Sequence, residues 1–146
     1  MSKYSVKYTP RYIDDPVSGK QRILYAPYVD VLVTGLSTPK VVTCLIDSGA
    51  DYNTFPYAFA TEFLGISEDV LEKGPHLDLV GIGGFKSSEP AYGYRVGMQH
   101  PYFSFKTWVF FLKNQTVPLL GRNGFMDKFK SITFDEEHQK IVFDSN

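Results

Sequence analysis

Runs of β-branched and aromatic residues, bounded by glycine, proline and polar turn residues, dominate the apolar pattern of this chain. Tyr28, Val29, Val31, Leu32 and Val33 form one run that ends at Gly35, and Ser37-Thr38-Pro39 supplies turn chemistry after it. Residues 41–46 are apolar on both faces except at Thr43, the pattern of a buried strand, and they stop at Asp47-Ser48-Gly49. Residues 76–80 read as extended and lead into Gly81-Ile82-Gly83-Gly84, a glycine cluster suited to a hairpin tip, with Phe85 beginning the return. Residues 92–98 and 102–112 predict two further strands, the second carrying Trp108 as a sheet residue. Residues 132–135 and 141–144 flank a polar turn and predict a terminal hairpin. Two short helices are expected. One covers residues 56–64, with Thr54 as N-cap, Pro56 near its start and Gly65 after its end; the other covers 125–130. Residues 68–76, rich in charge, read as a loop of their own. Residues 1–26 are the least patterned. With Pro10 and the turn-like Asp15-Pro16-Val17-Ser18-Gly19 they predict an N-terminal arm with a hairpin, set apart from a domain over 27–146. The fold class is mainly β.

Composition narrows this picture. A chain of 146 residues fits one domain able to bury its own core. Twelve Phe, ten Tyr and one Trp exclude a disordered chain. Fifteen Lys and Arg against 16 Asp and Glu give a formal net charge of −1, which argues against a nucleic-acid surface and against a polybasic membrane anchor. Cys44 is the single cysteine, so no disulfide framework holds the fold. No apolar run reaches the length of about 18 residues that a membrane helix needs. The polar N-terminus lacks the apolar stretch of a signal peptide, so a soluble intracellular protein is expected, in a compartment the residues do not name. No Cys/His cluster has zinc-ligand spacing, and His76, His100 and His138 lie far apart in sequence. Neither metal nor cofactor is expected.

Asp47 carries the candidate chemistry. It follows the buried run Cys44-Leu45-Ile46 directly, where a carboxylate is costly unless paired, hydrogen-bonded or protonated. One reading makes it a turn cap, a common role for Asp before Ser-Gly. The other makes it catalytic. The segment Leu45-Ile46-Asp47-Ser48-Gly49-Ala50-Asp51 resembles the active-site signature of the retropepsin-like aspartic proteases, hydrophobic-hydrophobic-Asp-Thr/Ser-Gly-Ala. Gly81-Ile82-Gly83-Gly84-Phe85 is similar to the flap tip of retroviral proteases, and Leu119-Leu120-Gly121-Arg122-Asn123 to their segment before the last helix. The three motifs occur in the family's order, and the resemblance spans roughly residues 27–143.

That resemblance implies a closed retropepsin-like β-barrel with a glycine-rich flap hairpin. It implies an aspartic endopeptidase acting on extended polypeptides. Two facing carboxylates share one proton, one serving as base for a water and the other as acid. The chain holds one such signature, so the resemblance implies a homodimer with Asp47 and its mate meeting on the two-fold axis. Asp47 matches the catalytic aspartate, Ser48 the hydroxyl residue that braces the loop across the dimer, and Gly49 the glycine that admits substrate backbone. Ala50, Asp51, Gly81, Ile82, Gly83 and Gly84 match substrate-binding positions, Ile82 being the flap residue whose N–H holds a water. Arg122 matches an arginine that pairs with Asp51 and braces the loop. The alternative is a non-catalytic module of the same fold, used for dimerisation or peptide capture. A third reading, a monomeric β-barrel for a small ligand, requires Asp47 to be a turn cap only. Neither nucleic acid nor membrane is an expected partner.

Overall fold

The computed structural model describes residues 2–79 and 90–145. Among them the chain forms twelve strands: Lys3–Lys7 (β1), Arg11–Asp14 (β2), Gln21–Leu24 (β3), Tyr28–Thr34 (β4), Lys40–Ile46 (β5), Thr54–Pro56 (β6), His76–Leu77 (β7), Ala91–His100 (β8), Phe103–Leu112 (β9), Leu119–Leu120 (β10), Ser131–Asp135 (β11) and Lys140–Asp144 (β12). The order β4-β5-β10-β6-β9-β8 closes on itself because β8 also pairs with β4, through Leu32–Gln99, Val33–Met98 and Thr34–Gly97. The result is the mainly-β closed barrel expected, with β7 attached to β8 at the other end. Closure leaves few strand edges for another chain to pair with.

Alternation in β4 and β5 explains the interior. Val29, Val31 and Val33 point inward from β4, and Val42, Cys44 and Ile46 from β5. Phe55, Phe111 and Leu120 fill the space between them. Each such side chain, fully buried, contributes roughly 1.5–3 kcal/mol of transfer free energy. Burial pushes the Cys44 thiol well above its ordinary pKa, so the group stays neutral.

A second layer consists of β1, β12 and β11, all antiparallel. The stretch read as an N-terminal arm therefore supplies one strand of this sheet, and β2 pairs with β3 as a separate hairpin. Tyr4 and Val6 alternate inward from β1. Tyr4 stacks on Phe143 at 5.4 Å, and Phe143 meets Phe129 at 4.9 Å. Tyr8 follows, buried, its hydroxyl donating to Glu136 Oε1 at 2.8 Å. Burial and that bond to a carboxylate push the Tyr8 phenol up to about 12.

The helices differ from expectation. Thr54 is not an N-cap but a buried strand residue, its carbonyl and hydroxyl oxygens both accepting from Gln115 Nε2. Parallel pairing of β6 with β9 extends the chain to Pro56, and the first expected helix follows directly over residues 57–63, π-type over Phe59–Phe63. Gly65 ends it at φ +70°, a conformation that suits glycine. Glu68–Lys73, read as loop, is a short α-helix (α1). Ser67 Oγ accepts from the Val70 N–H, acidic residues fill the first turn and Lys73 the last. The second expected helix is one 3₁₀ turn at Met126–Lys128.

Phe143 joins the terminal sheet to the aromatic cluster and is fully buried. Phe143→Ala is expected to cost about 3–5 kcal/mol. Urea unfolding of wild type and variant, followed by Trp108 emission and far-UV circular dichroism, measures this. A loss under 1 kcal/mol contradicts the packing described.

Candidate active site

Asp47 stands at the carboxyl end of β5, where the strand leaves the barrel wall. Its position is set by backbone. β5 and β10 run parallel, pairing Leu45 with Leu119 and Ile46 with Leu120. The Leu45 N–H donates to Pro118 O at 2.9 Å, and the Asp47 N–H to Leu120 O at 2.9 Å. Beyond Asp47 the chain turns. Asp47 Oδ1 accepts from the Gly49 N–H at 2.8 Å, and Asp47 O accepts from the Ala50 N–H at 3.1 Å. The turn-cap reading of Asp47 thus holds as geometry, and Oδ2 makes no bond among the described residues. The side chain is half-buried, while Ser48 and Gly49 are exposed. A Cβ on Gly49 would lie 3.2 Å from Asp47 Oδ1, so glycine keeps this turn uncrowded.

A second loop locks the first. The Arg122 N–H donates to Ala50 O at 2.9 Å, and the Asn123 N–H to Asp51 O at 2.8 Å. Asn123 Nδ2 donates to the same Asp51 oxygen at 2.8 Å. Tyr52 and Asn123 form an isolated parallel bridge. Gly121 crosses beneath: a Cβ there would lie 2.4 Å from Tyr52 O and 2.7 Å from Ala50 O, which excludes any side chain. Asn53, fully buried, joins three elements. Its Oδ1 accepts from the Gly121 N–H at 3.0 Å, its Nδ2 donates to Trp108 O at 3.0 Å, and its own carbonyl accepts from the Phe110 N–H at 2.9 Å.

The structure brings Asp47, Ser48, Gly49, Ala50, Asp51 and Arg122 into one pair of interlocked loops. The side-chain ion pair expected between Asp51 and Arg122 is absent among the described residues; both side chains are exposed. The bracing passes through the main chain of residues 50–51 and 121–123 and through the side chains of Asn53 and Asn123. Gly81, Ile82, Gly83 and Gly84, read as the flap tip, lie outside the described residues. Among the described residues no group of three or more His, Cys, Asp or Glu is placed to hold a metal ion, and no helix is long and apolar enough to cross a membrane.

The structure matches a retropepsin-like aspartic protease from Rickettsia conorii over 98% of this chain and 94% of that one, with TM-score 0.52 and 16% identity. EIAV protease, solved with an inhibitor, matches over 66% of this chain and 82% of its own, with TM-score 0.42 and 23% identity. No protein-family model and no curated protein matches the sequence. The fold is retropepsin-like.

Asn53 tests the frame. Asn53→Ala removes the partners of a buried N–H and a carbonyl, which is expected to cost about 2–4 kcal/mol. Chemical denaturation measures it, and hydrogen exchange at Gly121 is expected to accelerate with it. Unchanged exchange there would show that the loop does not depend on this side chain.

Proposed function

We propose that this protein is an aspartic endopeptidase that works as a homodimer with one Asp47 from each subunit. The observation that carries the reading is the Asp47 turn. Its carboxylate is half-exposed at the mouth of a retropepsin-like barrel, held by a bond to the Gly49 N–H and locked by the Gly121-Arg122-Asn123 loop. A single chain offers one such turn, so the second carboxylate comes from a second copy, and isologous contact places like residues together.

Two carboxyl groups about 3 Å apart hold one proton between them, because both cannot ionise cheaply. The ionised member takes a proton from a water, whose oxygen attacks the peptide carbonyl carbon. The protonated member gives its proton to the carbonyl oxygen. Collapse breaks the C–N bond, a proton passes to the leaving amine, and the dyad returns to its singly protonated state. In this reading Ser48, exposed beside Asp47, braces the partner loop, Gly49 and Ala50 admit substrate backbone, and Asp51 receives substrate main-chain N–H groups. Gly81, Ile82, Gly83 and Gly84 complete the proposal as the flap over an extended polypeptide, which would add strand-like and present alternate side chains to pockets.

The expected pH profile of kcat/KM is bell-shaped, falling on the acid side when both carboxyls are protonated and on the other side when both are ionised. Asp47→Asn is expected to reduce cleavage of a mixed peptide library at least 10³-fold, on the order of what loss of an essential proton donor and acceptor costs, while sedimentation still reports a dimer. Full activity in the variant overturns the assignment. A dimer that cleaves nothing at any pH would make this a binding or assembly module instead.

A further inference from the structure

The outer face of β8 and β9 carries a cleft of about 400 Å³ beside the active-site loops. Tyr52 and Asn123 line it, and the same two residues bridge just beyond Asp51. The cleft therefore shares two residues with the loops that carry and brace Asp47. Trp108 stands opposite Arg95 in the strand register and is 45% exposed. Phe110 meets the Tyr52 ring edge-on at 5.4 Å. Arg95, Lys106 and Lys128 also line this cleft. Arg95 and Lys106 make no ion pair among the described residues, and the Lys128 ammonium lies 5.7 Å over the Phe105 ring. Among the described residues that line it the one carboxylate is Asp127, which accepts from the Gly124 N–H at 3.0 Å. Three cations against one anion leave an excess of two positive charges, on a chain whose formal net charge is −1.

An aromatic surface ringed by unpaired cations suits an extended polypeptide that carries carboxylates. Ring faces take its apolar and main-chain atoms, and the guanidinium and ammonium groups take its acids. We propose that this cleft binds an acidic flank of the substrate, several residues from the scissile bond. The proposal rests on the endopeptidase reading and adds the substrate class: chains with Asp or Glu outside the cleaved segment.

Trp108 is the single tryptophan, so its emission reports occupancy of the cleft without any need for catalysis. The probe is an extended peptide with a Glu-Glu-Glu flank, compared with its Gln-Gln-Gln counterpart, titrated at about pH 6.5, where Glu is ionised. With Asp47→Asn protein the acidic peptide is expected to shift Trp108 emission and to bind about tenfold more tightly, a difference that added salt erodes. The preference is expected to vanish in Arg95→Glu/Lys106→Glu and to weaken in Arg95→Gln/Lys106→Gln; both positions are exposed, and thermal unfolding checks that each variant folds. In the active protein, the ratio of kcat/KM for acidic over neutral peptide is expected to fall from about ten to about one in the reversed variant.

Equal binding of the two peptides, or a preference that survives charge reversal, overturns the proposal. So does a peptide-free emission shift that grows with protein concentration, which would give the cleft to a second copy. Binding with the acidic preference but no cleavage by active protein removes the endopeptidase reading and keeps the cleft. Cleavage with no acidic preference does the reverse.

Discussion

The backbone at Gly121 passes so close to the carbonyls of Ala50 and Tyr52 that no side chain fits between them. This contact lets the loop after β10 cross the loop after β5, and the Arg122 and Asn123 N–H groups then donate to the Ala50 and Asp51 carbonyls. The strands feeding the crossing, β5 and β10, are parallel neighbours in the barrel wall. Asn53 extends the same frame to β9 by bonding the Gly121 N–H and Trp108 O together. A carboxylate presented on such a frame needs little further ordering before it can act.

On the proposed reading the site is a half-site. The bonds described at the Asp47 turn are local ones, from the Gly49 N–H to Oδ1 and from the Ala50 N–H to the Asp47 carbonyl. What a partner would add is the second carboxylate and the shared proton. On this view folding and association are separate steps: the first sets geometry, the second sets the acid–base chemistry.

Much of this was legible in the residues. The runs over residues 28–33 and 41–46 stood out because strands buried in a closed wall cannot hide their β-branched character. Thr54 misled because a hydroxyl two residues before proline has the chemistry of a helix cap. Long-range pairing with β9 overrode that local preference. Glu68–Lys73 escaped because it buries only Leu71, too little for a helical period to emerge, although Ser67 and the order of its charges were readable as capping signals. The Asp51–Arg122 pairing came from resemblance alone; bonds from Arg122 and Asn123 N–H groups make the brace, and backbone bonds leave no residue signature. Asn53 is the clearest loss. Its two partners lie 68 and 55 residues away, a distance over which no local pattern speaks.

The ladder between β1 and β12 joins residues almost the whole chain apart, with Lys3 opposite Asp144. Closing so long a loop brings an entropic cost that only the finished barrel can offset. Ser2 and Ser145 then clasp the two ends, their side chains 2.9 Å apart. β12 is made long after β1, so Tyr4 and Val6 lack their covering strand until the barrel residues between them have been synthesised. The barrel wall itself is completed only when β10 slots between β5 and β6, and the outer sheet is sealed later still, once β12 reaches β1. Until then the edge of the first strand is what a chaperone would have to guard.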